Sequence, residues 1–245
     1  MSKMITTEAK LFLREPGGLI FAILLPLVLL IGLGNVIPGL REASPDMGGQ
    51  RGIDNYFPAM MTILSVVTMA LTVLPGTLAA YREAGVLRRM STTPVSPIRV
   101  LVAQLVNNLA VAVIATTLLV VLGNLFLDVP VPKNPLPFVG VFLLGTASLF
   151  AVGLLIAAVA PNAKAAPAIG SLLMFPLMFV AGMWFPREFM PDLLQRIGDF
   201  LPLAPFGQAL RDTWAGGAPQ TLNLVVMAAT LLLFGGLAAR LFRWQ

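Results

Sequence analysis

The chain has 245 residues, of which 58% are hydrophobic and only 11% are charged, and its mean hydropathy is +0.89. A water-soluble domain is about a quarter charged, so the composition excludes one and indicates a membrane protein. The net charge of +5 is attributed to membrane topology rather than to nucleic-acid binding. With no Cys and no His, the chain lacks thiol nucleophiles, the commonest metal ligand and the usual general base. We therefore expect no catalytic residue, no metal site and no cofactor in this chain.

Residues 1–16 predict an amphipathic helix that lies in the plane of the membrane interface. Lys3, Lys10 and Arg14 fall on one helical face, and apolar side chains occupy the other. Such a helix places its basic side chains among the lipid headgroups. Pro16 would then turn the chain into the membrane. A frayed basic terminus is the alternative.

Six windows without Asp, Glu, Lys or Arg are long enough to cross roughly 30 Å of hydrocarbon as helices. They are residues 18–36, 57–78, 100–126, 136–159, 165–185 and 222–239. We therefore predict an all-α integral membrane protein with six transmembrane helices in one domain over residues 1–245. The first window is too long for the apolar part of a signal peptide and lacks a good cleavage site, so we expect it to remain as a span.

The distribution of Lys and Arg between the windows predicts the orientation. The amino terminus, the second and fourth loops and the carboxyl end hold ten of the sixteen, and the opposite side holds six. Basic residues accumulate on the cytoplasmic side of bacterial spans. Both termini are therefore expected in the cytoplasm, with the chain in the bacterial cytoplasmic membrane.

The second loop, residues 81–94, predicts a short helix with an apolar patch. Val86, Leu87 and Met90 share one face, and Arg82, Glu83, Arg88 and Arg89 surround it. Pro94 ends the helix, because the residue before a proline is disfavoured in the α region. Burial of the three apolar side chains would contribute about 1.5–3 kcal/mol each, so the patch favours a groove on another protein. A solvated basic loop is the alternative.

Residues 186–221 predict two short amphipathic helices on the other side of the membrane, separated by prolines. The first helix has Leu193, Leu194, Ile197, Phe200 and Leu201 on its apolar face and Asp192, Gln195, Arg196 and Asp199 on its polar face. The second helix has Phe206, Ala209, Leu210, Thr213 and Trp214 on its apolar face and Gln208, Arg211 and Asp212 on its polar face. Neither helix is long enough to span a bilayer. The pair either dips into the membrane and returns or lies on its surface.

Two stripes inside the windows are candidates for a substrate path. They are Ser65, Thr68 and Thr72 on the second span, and Phe175, Met178 and Phe179 on the fifth. An apolar path with a few hydroxyls suits lipophilic or amphiphilic cargo; ordinary packing or lipid contact is the alternative. No window contains an ionisable residue, which argues against proton-coupled transport and against intramembrane hydrolysis.

Four stretches follow one another along the chain: residues 82–90 with Thr93-Pro94, residues 181–186 with Met190-Pro191, residues 201–206, and residues 209–211 with Gly216-Gly217. In this order they resemble the permease subunits of ABC-2 type transporters, in particular the bacterial daunorubicin-resistance type of drug exporter.

The resemblance implies a coupling helix that docks on a separate ATP-hydrolysing subunit. Its residues would be Arg82, Glu83, Gly85, Val86, Leu87, Arg88, Arg89, Met90, Thr93 and Pro94. It also implies two permease copies, identical or different, working with two ATPases, and a substrate path along the second and fifth spans of both copies.

The energy source is expected to be a partner. None of the four lysines follows a glycine, so the sequence has no Gly-x-x-x-x-Gly-Lys-[Ser/Thr] phosphate loop. We predict that the chain is not itself an enzyme and that ATP and Mg bind to the partner. Export of a lipid, glycolipid or polysaccharide is an alternative of the same class. A non-transporting membrane subunit that recruits a cytoplasmic partner is an alternative of another class.

Overall fold

The computed structural model describes residues 16–43, 49, 51–86, 98–184 and 187–241. The predicted interfacial helix, apart from Pro16, lies outside these residues, and so does most of the predicted coupling helix. Throughout the described ranges the regular structure is helical, except for an isolated bridge between Ala43 and Arg51.

The apolar windows form the long helices of the fold. These are α1 (Ile20–Val36), α2 (Tyr56–Glu83), α3 (Ile98–Leu127), α4 (Pro135–Val159), α5 (Ala165–Val180) and, last in the chain, α8 (Thr221–Leu241). Helices α2, α3, α4 and α8 are each long and apolar enough to cross a membrane, whereas α1 and α5 are shorter apolar helices. A helical turn, Pro16–Leu19, precedes α1 without a break. The prediction of an all-α membrane protein is confirmed.

Helix α5 ends at Val180, short of the predicted residue 185. Gly182 adopts a left-handed conformation, with φ at +85°. The backbone N–H of Met183 then bonds to the carbonyl of Met178 at 3.0 Å, and that of Gly182 to the carbonyl of Phe179 at 2.9 Å. This is a glycine-based helix end, which satisfies carbonyls that the helix itself leaves unpaired.

Hydrogen bonds between loops show that successive helices run in alternating directions. At one end of the bundle, the Tyr56 hydroxyl donates to the carbonyl of Gly182, and the indole N–H of Trp214 donates to the carbonyl of Pro130. At the other end, the carboxyl end of α2 bonds to residues 157–163, which join α4 to α5. The connections after α1, α3 and α5 are therefore on one side, and those after α2 and α4 are on the other.

Helix α2 is the centre of the bundle and packs against α1, α3, α4 and α5. Its middle, Met69–Val73, is a π-helical segment, the kind of local widening that often occurs at functional sites. Gly153 of α4 and Gly170 of α5 lie directly against this segment. A Cβ atom added at Gly153 would lie 2.0 Å from the Ala70 carbonyl oxygen, and one added at Gly170 would lie 1.6 Å from that of Leu71. Glycine therefore allows both helices to touch the α2 backbone.

The segment before α8 contains α6 (Asp192–Asp199) and α7 (Leu203–Ala215). Helix α7 is largely buried and packs against α2, α4 and α8. The Phe206 ring fills the space left by Gly145 of α4, and the Trp214 ring meets the edge of Phe138, with centroids 5.3 Å apart. Helix α7 is thus part of the bundle rather than a helix on its surface.

Candidate coupling segment and substrate path

The predicted coupling segment begins as the last turn of α2. Arg82 and Glu83 are still helical, and α2 then ends because Gly85 adopts a left-handed φ of +66°. The Gly85 N–H bonds to the Arg82 carbonyl at 3.0 Å. Val86, half-buried, resumes helical conformation. The predicted coupling residues Leu87, Arg88, Arg89, Met90, Thr93 and Pro94 lie outside the described residues.

Arg82 and Glu83 connect the end of α2 to the turn between α4 and α5. The Arg82 guanidinium donates to the carbonyls of Ala157 at 3.0 Å and Ala158 at 3.2 Å, and also to that of Ala160. These are carbonyls at the carboxyl end of α4, which a cation stabilises through the helix dipole. The Glu83 carboxylate accepts the backbone N–H of Ala163 at 2.8 Å. The end of α2 is therefore bonded directly to the end of α4 and to the turn before α5.

The hydroxyl stripe predicted on α2 is only partly assembled. Thr68 and Thr72 lie on a half-buried strip of the helix, whereas Ser65 is fully buried. The Thr68 hydroxyl donates to the Leu64 carbonyl at 2.7 Å, as threonines in α-helices commonly do. Thr72 lies inside the π segment, and its buried hydroxyl has no hydrogen-bond partner among the described residues.

The half-buried strip of α2 lies between α1 and α5. Val73, beside Thr72, faces Gly18 in the helical turn that precedes α1, and Gly76 faces Pro167 of α5. The strip is therefore half-buried and bears two hydroxyl groups, with a short apolar helix on each side.

The stripe predicted on α5 is divided between two sides of the helix. Phe175 and Phe179 are 56% and 42% exposed, whereas Met178 is 3% exposed and belongs to the core. The three side chains were expected on one stripe, and the structure separates Met178 from the two phenylalanines. The reason is packing: α5 has one side against α2 and α4, and Met178 falls on that side.

The fold and the site define a multi-pass helical membrane protein in which a charged segment at the end of the central helix is bonded to a neighbouring turn. Residues 2–214 match the family described as ABC-2 type transporter, and the chain belongs to this family. Members of this family are the permease components of ABC transporter systems. Such a permease component is not itself an enzyme.

Several curated permeases are similar to the chain. It is 26% identical over 235 residues to the putative transport permease YvfS of Bacillus subtilis (strain 168), covering 96% of this chain and 93% of that protein. It is 28% identical over 239 residues to the daunorubicin resistance ABC transporter permease protein DrrB1 of Streptomyces coeruleorubidus, covering 95% and 82%. Similarity to the inner membrane transport permease YhhJ of Escherichia coli (strain K12) is 29% over 184 residues, which are 70% of this chain and 48% of that protein.

Proposed function

We propose that this chain is the membrane-spanning subunit of an ATP-driven exporter whose energy comes from a separate cytoplasmic ABC ATPase. The observation that carries the proposal is the ABC-2 match over residues 2–214, together with a relative named as a daunorubicin resistance permease. The sequence has no phosphate loop of its own, so ATP and Mg would bind to the partner. The complex would lie in the bacterial cytoplasmic membrane, with both termini of this chain in the cytoplasm.

The coupling step would use the contacts at the end of α2. When the ATPase dimer closes, the docked segment from Arg82 to Pro94 moves, and the bonds of Arg82 and Glu83 carry this movement to the α4–α5 turn. Helices α4 and α5 hold the π segment of α2 between Gly153 and Gly170. The movement would therefore reach the part of α2 that bears Thr72.

The substrate would be lipophilic or amphiphilic and of the size of a drug or antibiotic. The strip with Thr68 and Thr72 and the exposed rings of Phe175 and Phe179 offer apolar contact with a few hydroxyls, which suits such cargo. Two permease copies, facing each other through α1, α2 and α5, would enclose the path, with one ATPase below each copy. The substrate would leave the cytoplasm or the inner leaflet.

The proposal is tested in inverted membrane vesicles that contain this chain and its ATPase. We expect ATP-dependent uptake of a labelled lipophilic drug, and no uptake with the permease alone. Leu87→Asp should abolish both co-purification of the ATPase and uptake, because it places a charge in the apolar docking patch, while insertion into the membrane stays normal.

Arg240→Gln, an exposed change at the end of α8 on the same side of the bundle, is the matched control and should affect neither. Uptake of a labelled phospholipid instead of the drug would assign lipid export. Co-purification that survives Leu87→Asp contradicts the assignment of the coupling segment.

A further inference from the structure

A polar cavity of about 330 Å³ lies at the end of the bundle opposite the coupling segment. Its walls are Arg187, Gln195, Asp199, Gln208, Arg211, Asp212 and Gln220. The volume is roughly ten times that of one water molecule in the liquid and is within the range of small-molecule sites. None of the proposed substrate-path residues on α2 and α5 lines this cavity.

The cavity forms because the polar faces of α6 and α7 turn toward each other. Gln195 and Asp199 of α6 are half-buried on the inner side of the helix, opposite Gln208, Arg211 and Asp212 of α7. The outer side of α6 carries Leu193 and Ile197, and Phe200 follows directly at its end; these three large apolar side chains are 69%, 45% and 70% exposed. An amphipathic helix with its apolar face outward and its polar face toward a cavity fits contact with lipid chains.

One wall of the cavity is a buried cation. Arg187 is 9% exposed, and the Nη2 atom of its guanidinium donates to the Asp199 carboxylate at 2.6 Å and to the Gln195 carbonyl at 2.8 Å. Its Nη1 is buried without a hydrogen-bond partner among the described residues. A buried guanidinium normally has its donors satisfied, so this wall has unused capacity to bind an anionic group.

Asp212 adds a carboxylate to the lining of the cavity. The Asp212 Oδ2 atom is buried and has no hydrogen-bond partner in the described part of the chain. The pKa of Asp212 is raised, because the effect of burial outweighs the Arg211 charge and the backbone hydrogen bond from Gln220, which both act to lower it. Arg211 itself lies over the Tyr56 ring, 4.9 Å from its centroid. This side of the cavity has unused capacity for a hydrogen-bond donor or a cation.

The charges of the cavity select the class of ligand. Two arginines and two aspartates make the fully ionised cavity neutral. A purely anionic or purely cationic ligand would leave one unbalanced charge in a partly buried site, whereas a zwitterion keeps the site neutral and can use both walls. We propose that this cavity binds the zwitterionic headgroup of a phospholipid, phosphate toward Arg187 and ammonium toward Asp212, with the acyl chains beside the apolar face of α6.

The side chains around the cavity are of the kind found at the depth of the lipid headgroups. Trp184 and Phe189, on either side of Arg187 in the sequence, are 62% and 66% exposed. Tryptophan is enriched where a membrane meets water, and the exposed Phe189 ring adds apolar surface near it. The Asp199 side chain is 34% exposed, so the cavity can be reached from outside the bundle. A lipid of the surrounding leaflet could therefore enter sideways.

The test is lipid retention by the purified full-length chain, measured by native mass spectrometry. The chain is equilibrated in mixed micelles with phosphatidylethanolamine, phosphatidylglycerol or diacylglycerol in equal amounts. We expect one phosphatidylethanolamine retained per chain, at least tenfold more than either other lipid. Arg187→Gln should reduce its retention at least tenfold. Arg196→Gln, a change of an exposed arginine on α6, should have no effect.

A second variant keeps the test valid if Arg187→Gln disturbs folding. Asp212→Asn preserves the shape of the side chain and should remove the preference for phosphatidylethanolamine over phosphatidylglycerol, while the helical content by circular dichroism stays unchanged. Free phosphoethanolamine should compete only weakly, because it lacks chains to lie beside α6.

Equal retention of the three lipids by the unaltered chain overturns the proposal, and so does undiminished preference in Asp212→Asn. Competition by free phosphoethanolamine as strong as that by the lipid overturns the role of α6. None of these measurements involves the ATPase or transport, so their outcome is distinguishable from failure of the proposed function.

Discussion

Two glycines determine how closely α4 and α5 can approach α2. A methyl group at Gly153 or Gly170 would overlap backbone carbonyl oxygens of the π segment, which cannot move aside as a flexible side chain could. We expect Gly153→Ala and Gly170→Ala to lower the free energy of unfolding by about 1–3 kcal/mol, the usual range for overpacking. Thermal unfolding of the purified chain in detergent measures the effect.

Gly140 in α4 is the matched control for these two changes. An added Cβ there meets nothing within 4 Å, so Gly140→Ala should leave stability unchanged or increase it by up to about 1 kcal/mol through helix propensity. If Gly153→Ala is as stable as Gly140→Ala, the contact between α4 and the π segment is not as close as described.

At Asp212 the effect of burial on the carboxyl group predicts a pH dependence. Desolvation raises its pKa, so the folded state holds the proton more strongly than the unfolded state does. Its contribution to stability is then greatest in acid, below the ordinary value of 3.8, and is lost as pH rises through the raised pKa. The neighbouring charges are Arg187, Asp199 and Arg211.

Asp212→Asn does not titrate and isolates this contribution. We expect the melting temperature of the variant, relative to the unaltered chain, to increase from acid to neutral pH. Melting curves at a series of pH values give the difference directly. A difference that falls with rising pH would mean that the carboxylate is stabilised rather than penalised in the cavity.

At the scale of helices, the hydropathy pattern predicted the positions of the long helices. Helix α3, Ile98–Leu127, begins and ends within two residues of the predicted window 100–126, because a charge-free run of this length has few alternatives to a helix. The early end of α5 also had a signal in the sequence, since Gly182 is the residue type that commonly ends helices. The π segment of α2 also had a signal, since Pro75 follows it closely and lacks the N–H that would pair with the Leu71 carbonyl.

The candidate site was less predictable than the helices, because it depends on contacts between residues that are far apart in the sequence. Arg82 and Glu83 could be assigned to a charged segment from the sequence, but their partners are residues 157–163, more than seventy positions further along the chain. The polar faces of α6 and α7 were visible separately; that they enclose one cavity depends on how α7 enters the bundle. Local periodicity specifies a face of a helix and does not specify what the face meets.

The connection between α2 and the α4–α5 turn predicts a separation of binding from transport. Arg82→Gln removes the charge that holds three carbonyls near the end of α4, while the apolar docking patch keeps its residues. We expect the ATPase to co-purify normally and ATP-dependent uptake into inverted vesicles to fall at least tenfold. Arg240→Gln serves again as the exposed control. If uptake is unchanged in Arg82→Gln, movement passes to the bundle by another route.

At the scale of the whole molecule, the proposed pairing of two copies predicts that α1 and α5 lie at their interface. Helices α1 and α5 flank the half-buried strip of α2, and both present large side chains outward, including Phe21 at 62% and Phe175 at 56% exposure. Because the sequence has no cysteine, single introduced cysteines report contacts without background. A disulfide forms only where two Cα atoms come within about 7 Å, and a short bis-maleimide extends this reach.

We expect Phe21→Cys or Phe175→Cys to give covalent dimers in membranes, on oxidation or with the bis-maleimide. Leu232→Cys on α8 should stay monomeric, although Leu232 is 76% exposed, because that side of the bundle faces lipid in the proposed arrangement. Non-reducing gels of the membranes distinguish the two results. Dimers from Leu232→Cys alone would place the interface at α8, and the strip with Thr68 and Thr72 would then face lipid instead of a path between two copies.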